Sequence, residues 1–165
     1  MKTVEISGLK GVLDTLTSLP QEVVFKRGSP VKLALKRGAQ VIRDEEKARL
    51  RALQNEMGRN DVTGLIEKNL IATRGKPPTE FKGERYVVRI KKKLYVGRKG
   101  PAVSTVKAAQ IFEYGAENNS QPARPFIRTA FQAKAEEAIN VIAENLIARV
   151  NRMVKDMANM NKGKK

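Results

Sequence analysis

An apolar repeat from Phe126 to Met157 restricts this chain more than any other feature. Ile127, Phe131, Ala135, Ala138, Ile142, Leu146, Val150, Val154 and Met157 recur at three- and four-residue intervals, and Ile139, Ala143 and Met153 widen the stripe. The spacing predicts a helix over 126–157 with one apolar face, roughly 45 Å long at 1.5 Å per residue. Pro125 suits its first turn, where a missing N–H costs nothing. In a chain of 165 residues a helix this long must project or pack along a partner for part of its length. The polar, basic stretch 159–165 is expected to form a flexible tail.

Two further helices are expected ahead of it. Residues 5–19 place Ile6, Leu9, Leu13 and Leu16 on one face, and Pro20 stops that run. A longer helix is expected over 31–57, with Ser29 as N-cap, Pro30 in its first turn and Gly58 past its end. Its core face reads as Leu35, Ala39, Ile42, Ala48, Leu53 and Met57. Between the helices, residues 64–115 carry β-capable runs, among them Tyr86–Ile90 and Leu94–Val96, while 102–115 fits a strand or a short helix followed by one. The expectation is a single α+β domain over 1–158: N-terminal helices, an antiparallel sheet of three to four strands, and the long C-terminal helix packed on or projecting from the sheet.

Charge is the loudest global property. Lys and Arg number 33 against 17 Asp and Glu, a net charge of +16. Residues 74–99 hold ten basic side chains and two acidic ones, so half of the excess lies there. Arg85, Arg89, Lys91, Lys92, Lys93, Arg98 and Lys99 are the candidate contacts to a DNA channel or an acidic partner. Such charge favours encounter with polyanions and phosphate backbones. Aromatic residues are only 5% of the chain, which argues against a platform that stacks bases. No helix-turn-helix, zinc-finger or RNA-recognition signature is present, so contact is expected to the backbone of a nucleic acid and not to its bases.

Catalytic chemistry is poorly supplied. The sequence contains no His and no Cys, which removes the commonest proton shuttle, thiolate nucleophiles and the usual zinc ligands. Asp44, Glu45 and Glu46, and Glu136 and Glu137, are adjacent carboxylates whose directions diverge on a helix, and they read as exposed charges paired with Lys or Arg. Residues 97–101 lack the phosphate-loop spacing and read as a turn. Neither an enzyme nor a cofactor nor a metal is expected. Without a signal peptide or a membrane-length apolar run, a cytoplasm-like compartment, or an assembly built there, is expected.

One stretch is punctuated without carrying chemistry. Phe112, Glu113, Tyr114 and Gly115 form a hydrophobe–Glu–aromatic–Gly unit. After a polar loop come Pro122, Arg124, Pro125, Phe126, Ile127, Arg128 and Ala130. With Thr63, Gly64 and Leu65 read as the opening of the sheet region, this order resembles the tail-completion, or head–tail joining (neck), proteins of long-tailed bacteriophages. The chain departs from that pattern in Ala116, where the family has Thr, and in its more basic residues 82–93.

The resemblance implies a non-enzymatic virion structural and assembly protein. It would complete the tail and join it to the capsid connector, in the virion's head–tail junction after assembly in the host cytoplasm. It implies self-association as a ring, a hexamer by that resemblance, with the long C-terminal helix as one candidate contact. Neighbours would be a connector, tail terminator or tail tube protein. Non-specific double-stranded DNA is a further expected partner, and no membrane is involved. In the same picture Glu113, Tyr114, Gly115, Pro122, Arg124, Pro125, Phe126 and Arg128 are structural, with Tyr114 and Gly115 closing the last strand and Phe126 buried at the sheet–helix junction. The alternative is a free, non-specific nucleic-acid-binding protein of histone-like or ribosome-associated type.

Overall fold

The computed structural model describes residues 30–58, 60–76, 83–95, 102–116 and 121–162. The expected helix at 5–19, the Ser29 cap, the 97–101 turn, and Arg98 and Lys99 lie outside them. In order, the elements are α1 (Pro30–Met57), α2 (Asn60–Asn69), β1 (Leu70–Arg74), β2 (Tyr86–Ile90), α3 (Thr105–Tyr114) and α4 (Ile127–Lys162). The class is α+β: a two-stranded antiparallel sheet with long helices before and after it. Among the described residues no helix is long and apolar enough to cross a membrane.

The two long helices match their expected starts closely. Pro30 opens α1, and Gly58 follows its end at a φ of 60°, the left-handed conformation glycine adopts without a Cβ penalty. Helix α4 runs 36 residues, through Lys162, so helix occupies the first part of the expected tail. At 1.5 Å per residue it is roughly 54 Å long.

Among the described residues the sheet has two strands, fewer than the three to four expected. Thr63, Gly64 and Leu65 do not open it; they lie inside α2. Phe112, Glu113 and Tyr114 do not end a strand; they are the last turn of α3. Both differences have one cause. Ile66 is buried from α2, and Thr105, Ala108, Ala109 and Phe112 stand three or four apart on α3, so both segments reach the core from a helix. Val106 and Ile111 have β propensity, but tertiary burial of their helix outweighs it. Ser104 fixes the start of α3, its hydroxyl accepting the Lys107 N–H at 3.2 Å.

Backbone proximity groups the chain into two compact units, and both long helices contribute residues to each. Among the described residues the first holds 30–38, 74–76, 83–85 and 136–162. Its core is small: Ala34, Leu146 and Val150, with Val31, Ile142 and Ala143 against them. Gly38 lies so close to α4 that a Cβ there would sit 2.5 Å from the Ile142 side chain and 2.9 Å from the Ala138 carbonyl oxygen. Arg74 binds the Glu84 carboxylate with two N–H groups at 2.7 Å, and Lys32 approaches the same carboxylate at 3.7 Å.

The second unit, Ala39–Thr73 and Tyr86–Ala135, holds the larger core. Leu50, Ile66, Leu70, Ala108, Ala109 and Phe126 are buried there, with Leu53, Val88, Ile90, Tyr95, Phe112 and Ile127 packed around them. Each fully buried Leu, Ile or Phe contributes about 1.5–3 kcal/mol. Phe126 is fully buried, as its place before the long helix implied. The core face of α1 differs from the expected one. Its buried positions are Pro30, Ala34, Gly38, Ile42, Glu46 and Leu50, a strict four-residue ridge, while Ala48 is exposed. Glu46 is therefore buried, not an exposed helix charge.

Candidate anionic-partner interface

The site starts from the alternation of β2. Val88 and Ile90 pack into the core, so Arg89 points the other way and is exposed. The Lys91 N–H donates to the Asn69 carbonyl at 2.9 Å, just before β1 begins. Beyond that point β1 no longer flanks the chain, and Thr105 takes over. Its hydroxyl donates to the Lys91 carbonyl at 2.7 Å and accepts the Lys93 N–H at 3.0 Å. The Thr105 N–H donates to the Lys93 carbonyl at 2.8 Å, and the Tyr95 N–H donates to the Val103 carbonyl at 3.1 Å. Leu94 and Ser104 form an antiparallel bridge between these bonds. The lysine run is thus an extended segment, clamped along one flank by the fully buried first residue of α3.

That clamp uses only backbone groups of residues 91–95 and leaves the cations outside. Arg89, Lys91, Lys92 and Lys93 are all exposed, and among the described residues no carboxylate pairs with them. Alternate residues of an extended chain stand roughly 6.7 Å apart, inside the Debye length of about 8 Å at physiological salt. The cations therefore repel one another, and an anion laid along them removes that repulsion. Arg85 is also exposed, with its carbonyl accepting the Gly75 N–H at 2.9 Å.

The punctuated stretch forms a second constellation, and here the structure brings the named residues together. The Glu113 carboxylate accepts the N–H groups of Phe126, Ile127 and Arg128 at 2.9, 2.9 and 3.2 Å. It therefore caps the N-terminus of α4 from the last turn of α3, matching negative charge to the positive end of the helix dipole. Arg128 returns the contact: its Nη2 donates to the Glu113 carbonyl at 3.2 Å, its Nε lies 3.5 Å from the carboxylate, and its guanidinium sits 5.8 Å over the Tyr114 ring. Gly115 ends α3 at a φ of 80°, and a Cβ there would meet the Gln121 carbonyl oxygen at 2.9 Å. A bridge between Ala116 and Gln121 closes the loop.

Arg124 donates its N–H to the Phe112 carbonyl at 2.6 Å and its guanidinium to Glu56 at 3.1 Å. Pro125 offers its carbonyl to the Thr129 hydroxyl at 2.6 Å. Pro122 lines an open pocket of about 270 Å³ with Met57, Ile111, Phe112, Gln121 and Arg124. The motif residues build a joint between α3 and α4; Arg128 is engaged within it, and the Arg124 side chain ties it to Glu56 of α1.

Sequence reasoning missed three residues. Thr105 carries the clamp, and the Ser104–Thr105 pair ahead of an Ala-rich helix was its available signal. Glu84 neutralises Arg74 across the strand connection. Glu46, only 4% exposed, has its carboxyl pushed up to about 7, first by burial and then by the negative charge of Glu113. Nothing in the spacing of Asp44, Glu45 and Glu46 marks the third as the buried one. Comparison of the chain with protein-family models, with curated proteins and with solved structures gives no match.

Proposed function

We propose that this chain is a non-enzymatic assembly protein of the head–tail junction of a long-tailed bacteriophage, with a fixed basic strip that meets an anionic neighbour in that junction. The observation that carries the reading is the strip itself: Arg89, Lys91, Lys92 and Lys93 stay exposed and unpaired with any described carboxylate while Thr105 fixes their backbone. A surface of this kind holds a polyanion through charge without reading a sequence. The Glu113 joint supports a scaffolding role for the motif that carries the resemblance, because its polar groups are engaged in positioning α4. Phe131 and Ile147 on α4 are exposed apolar side chains of the kind a subunit contact in a ring buries.

The test is imaging of particles made without this protein. Filled heads and separate, finished tails are the expected products, whereas normal virions refute the assignment. Binding of free duplex DNA at physiological salt with no defect in particle assembly replaces it with the free nucleic-acid-binding reading.

A further inference from the structure

The clamp on the lysine run fixes which way each backbone group points. In an extended chain successive N–H and C=O groups point to opposite flanks. Lys91, Lys93 and Tyr95 direct theirs toward Asn69, Thr105 and Val103. The intervening Lys92 and Leu94 direct theirs to the opposite flank, where no described residue receives them. The same parity continues through β2. Among the described residues the sheet has two strands, so Tyr86, Val88 and Ile90 present their N–H and C=O groups to the flank away from β1. From Tyr86 to Leu94 this makes one sheet edge that no described residue fills, roughly 26 Å long at 3.3 Å per residue.

We propose that this edge accepts an additional β-strand, and that the strand is an acidic extended segment of a neighbouring protein. The inference rests on the reading of the strip as a partner contact and names the chemistry of that partner. Three features select it. The edge offers main-chain donors and acceptors in strand register, which a strand satisfies and a phosphate backbone leaves unused. Its orientation is set by Thr105 before any partner arrives, so little ordering is needed on binding. Leu94, 54% exposed, stands at the clamped end of the edge as an apolar anchor.

Charge chooses between occupants. Lys91, Lys92 and Lys93 on an open edge repel a second copy of the same edge, a common guard against self-pairing. Alternating Glu or Asp residues on an incoming strand turn that repulsion into cross-strand pairs.

The test uses the full chain and two synthetic peptides of one sequence, with Glu alternating with Val or Thr. One peptide has a normal backbone, and the other is N-methylated at the alternate residues whose N–H groups would face the edge. The unmodified peptide is expected to bind, and to slow amide hydrogen exchange at Lys92 and Leu94 by about tenfold or more, equivalent to about 1.4 kcal/mol. N-methylation is expected to weaken binding at least about tenfold at unchanged charge. The double charge reversal Lys91→Glu with Lys93→Glu should abolish binding of the unmodified peptide, its own fold being checked by circular dichroism.

Equal binding of the two peptides overturns the proposal, as does binding without protection of the Lys92 and Leu94 amides. A mixed-sequence DNA duplex that outcompetes the peptide and leaves those amides unprotected also overturns it, yet leaves the junction assignment standing. Normal virions made without the protein have the reverse effect.

Discussion

Replacing Glu46 with Gln isolates the energetics of the buried carboxylate. The folded chain raises its pKa from an ordinary 4.5 to about 7, by burial first and by Glu113 second. A carboxyl with a raised folded-state pKa keeps its proton more tightly in the native than in the unfolded chain. The contribution of this group to stability is therefore fully present below 4.5 and is lost as pH rises through 7. The shift corresponds to about 3 kcal/mol at 1.36 kcal/mol per unit. Weighted by the ionised fractions, the cost is about 1 kcal/mol at pH 5 and about 3 kcal/mol at pH 8. Gln keeps the shape and cannot ionise, so Glu46→Gln removes this cost, and its advantage over the parent should grow by about 2 kcal/mol between the two pH values. For a chain of this size that is about 4–8 °C in Tm. Urea unfolding of parent and variant at pH 5 and pH 8 measures the difference, and the other titrations cancel between them. A gap that stays constant with pH, or a variant less stable at pH 8, refutes the placement of Glu46 in a desolvated site beside Glu113.

Other substitutions probe the joint and the clamp. Glu113→Ala removes the acceptor for three helix N–H groups, and urea unfolding should show a loss of about 2–3 kcal/mol. Gly38→Ala drives a methyl group into Ile142 and the Ala138 carbonyl and should cost about 1–3 kcal/mol. Gly64→Ala, in a helix with nothing within 4 Å of the new carbon, should instead gain up to about 1 kcal/mol, and thermal melts of the pair separate steric from conformational effects. Thr105→Val strips the bridge between the Lys91 carbonyl and the Lys93 N–H; about 1–3 kcal/mol is lost, and exchange at the Lys93 amide accelerates.

What could be read from the sequence depended on whether one residue type carries one message. The repeat behind α4 and the Pro30 and Gly58 boundaries of α1 are such cases, because apolar spacing and backbone constraint act locally. The face of α1 is not. Its ridge passes through Gly38, buried because two helices touch there, and Glu46, buried although charged, and an apolar pattern skips both. In α3 the β-branched residues argue for a strand until Ala108 and Ala109 find a core, which only tertiary contact decides. The lysine run was visible as charge, but its extended conformation follows from a threonine more than ten residues later. The Glu113–Arg128 pairing was legible only as two definite motifs either side of a loop, since its bonds span 13 to 15 residues.

The position of Glu113 also sets an order of events during synthesis. A helix needs a costly first turn before it can propagate, and α4 obtains part of that turn's hydrogen bonding from a carboxylate earlier in the chain. Because the chain emerges N-terminus first, Glu113 leaves the ribosome ahead of every N–H group it will accept. The acceptor that the first turn of α4 needs is thus already outside when Phe126, Ile127 and Arg128 emerge, so the cap is open to that turn from the moment its N–H groups appear.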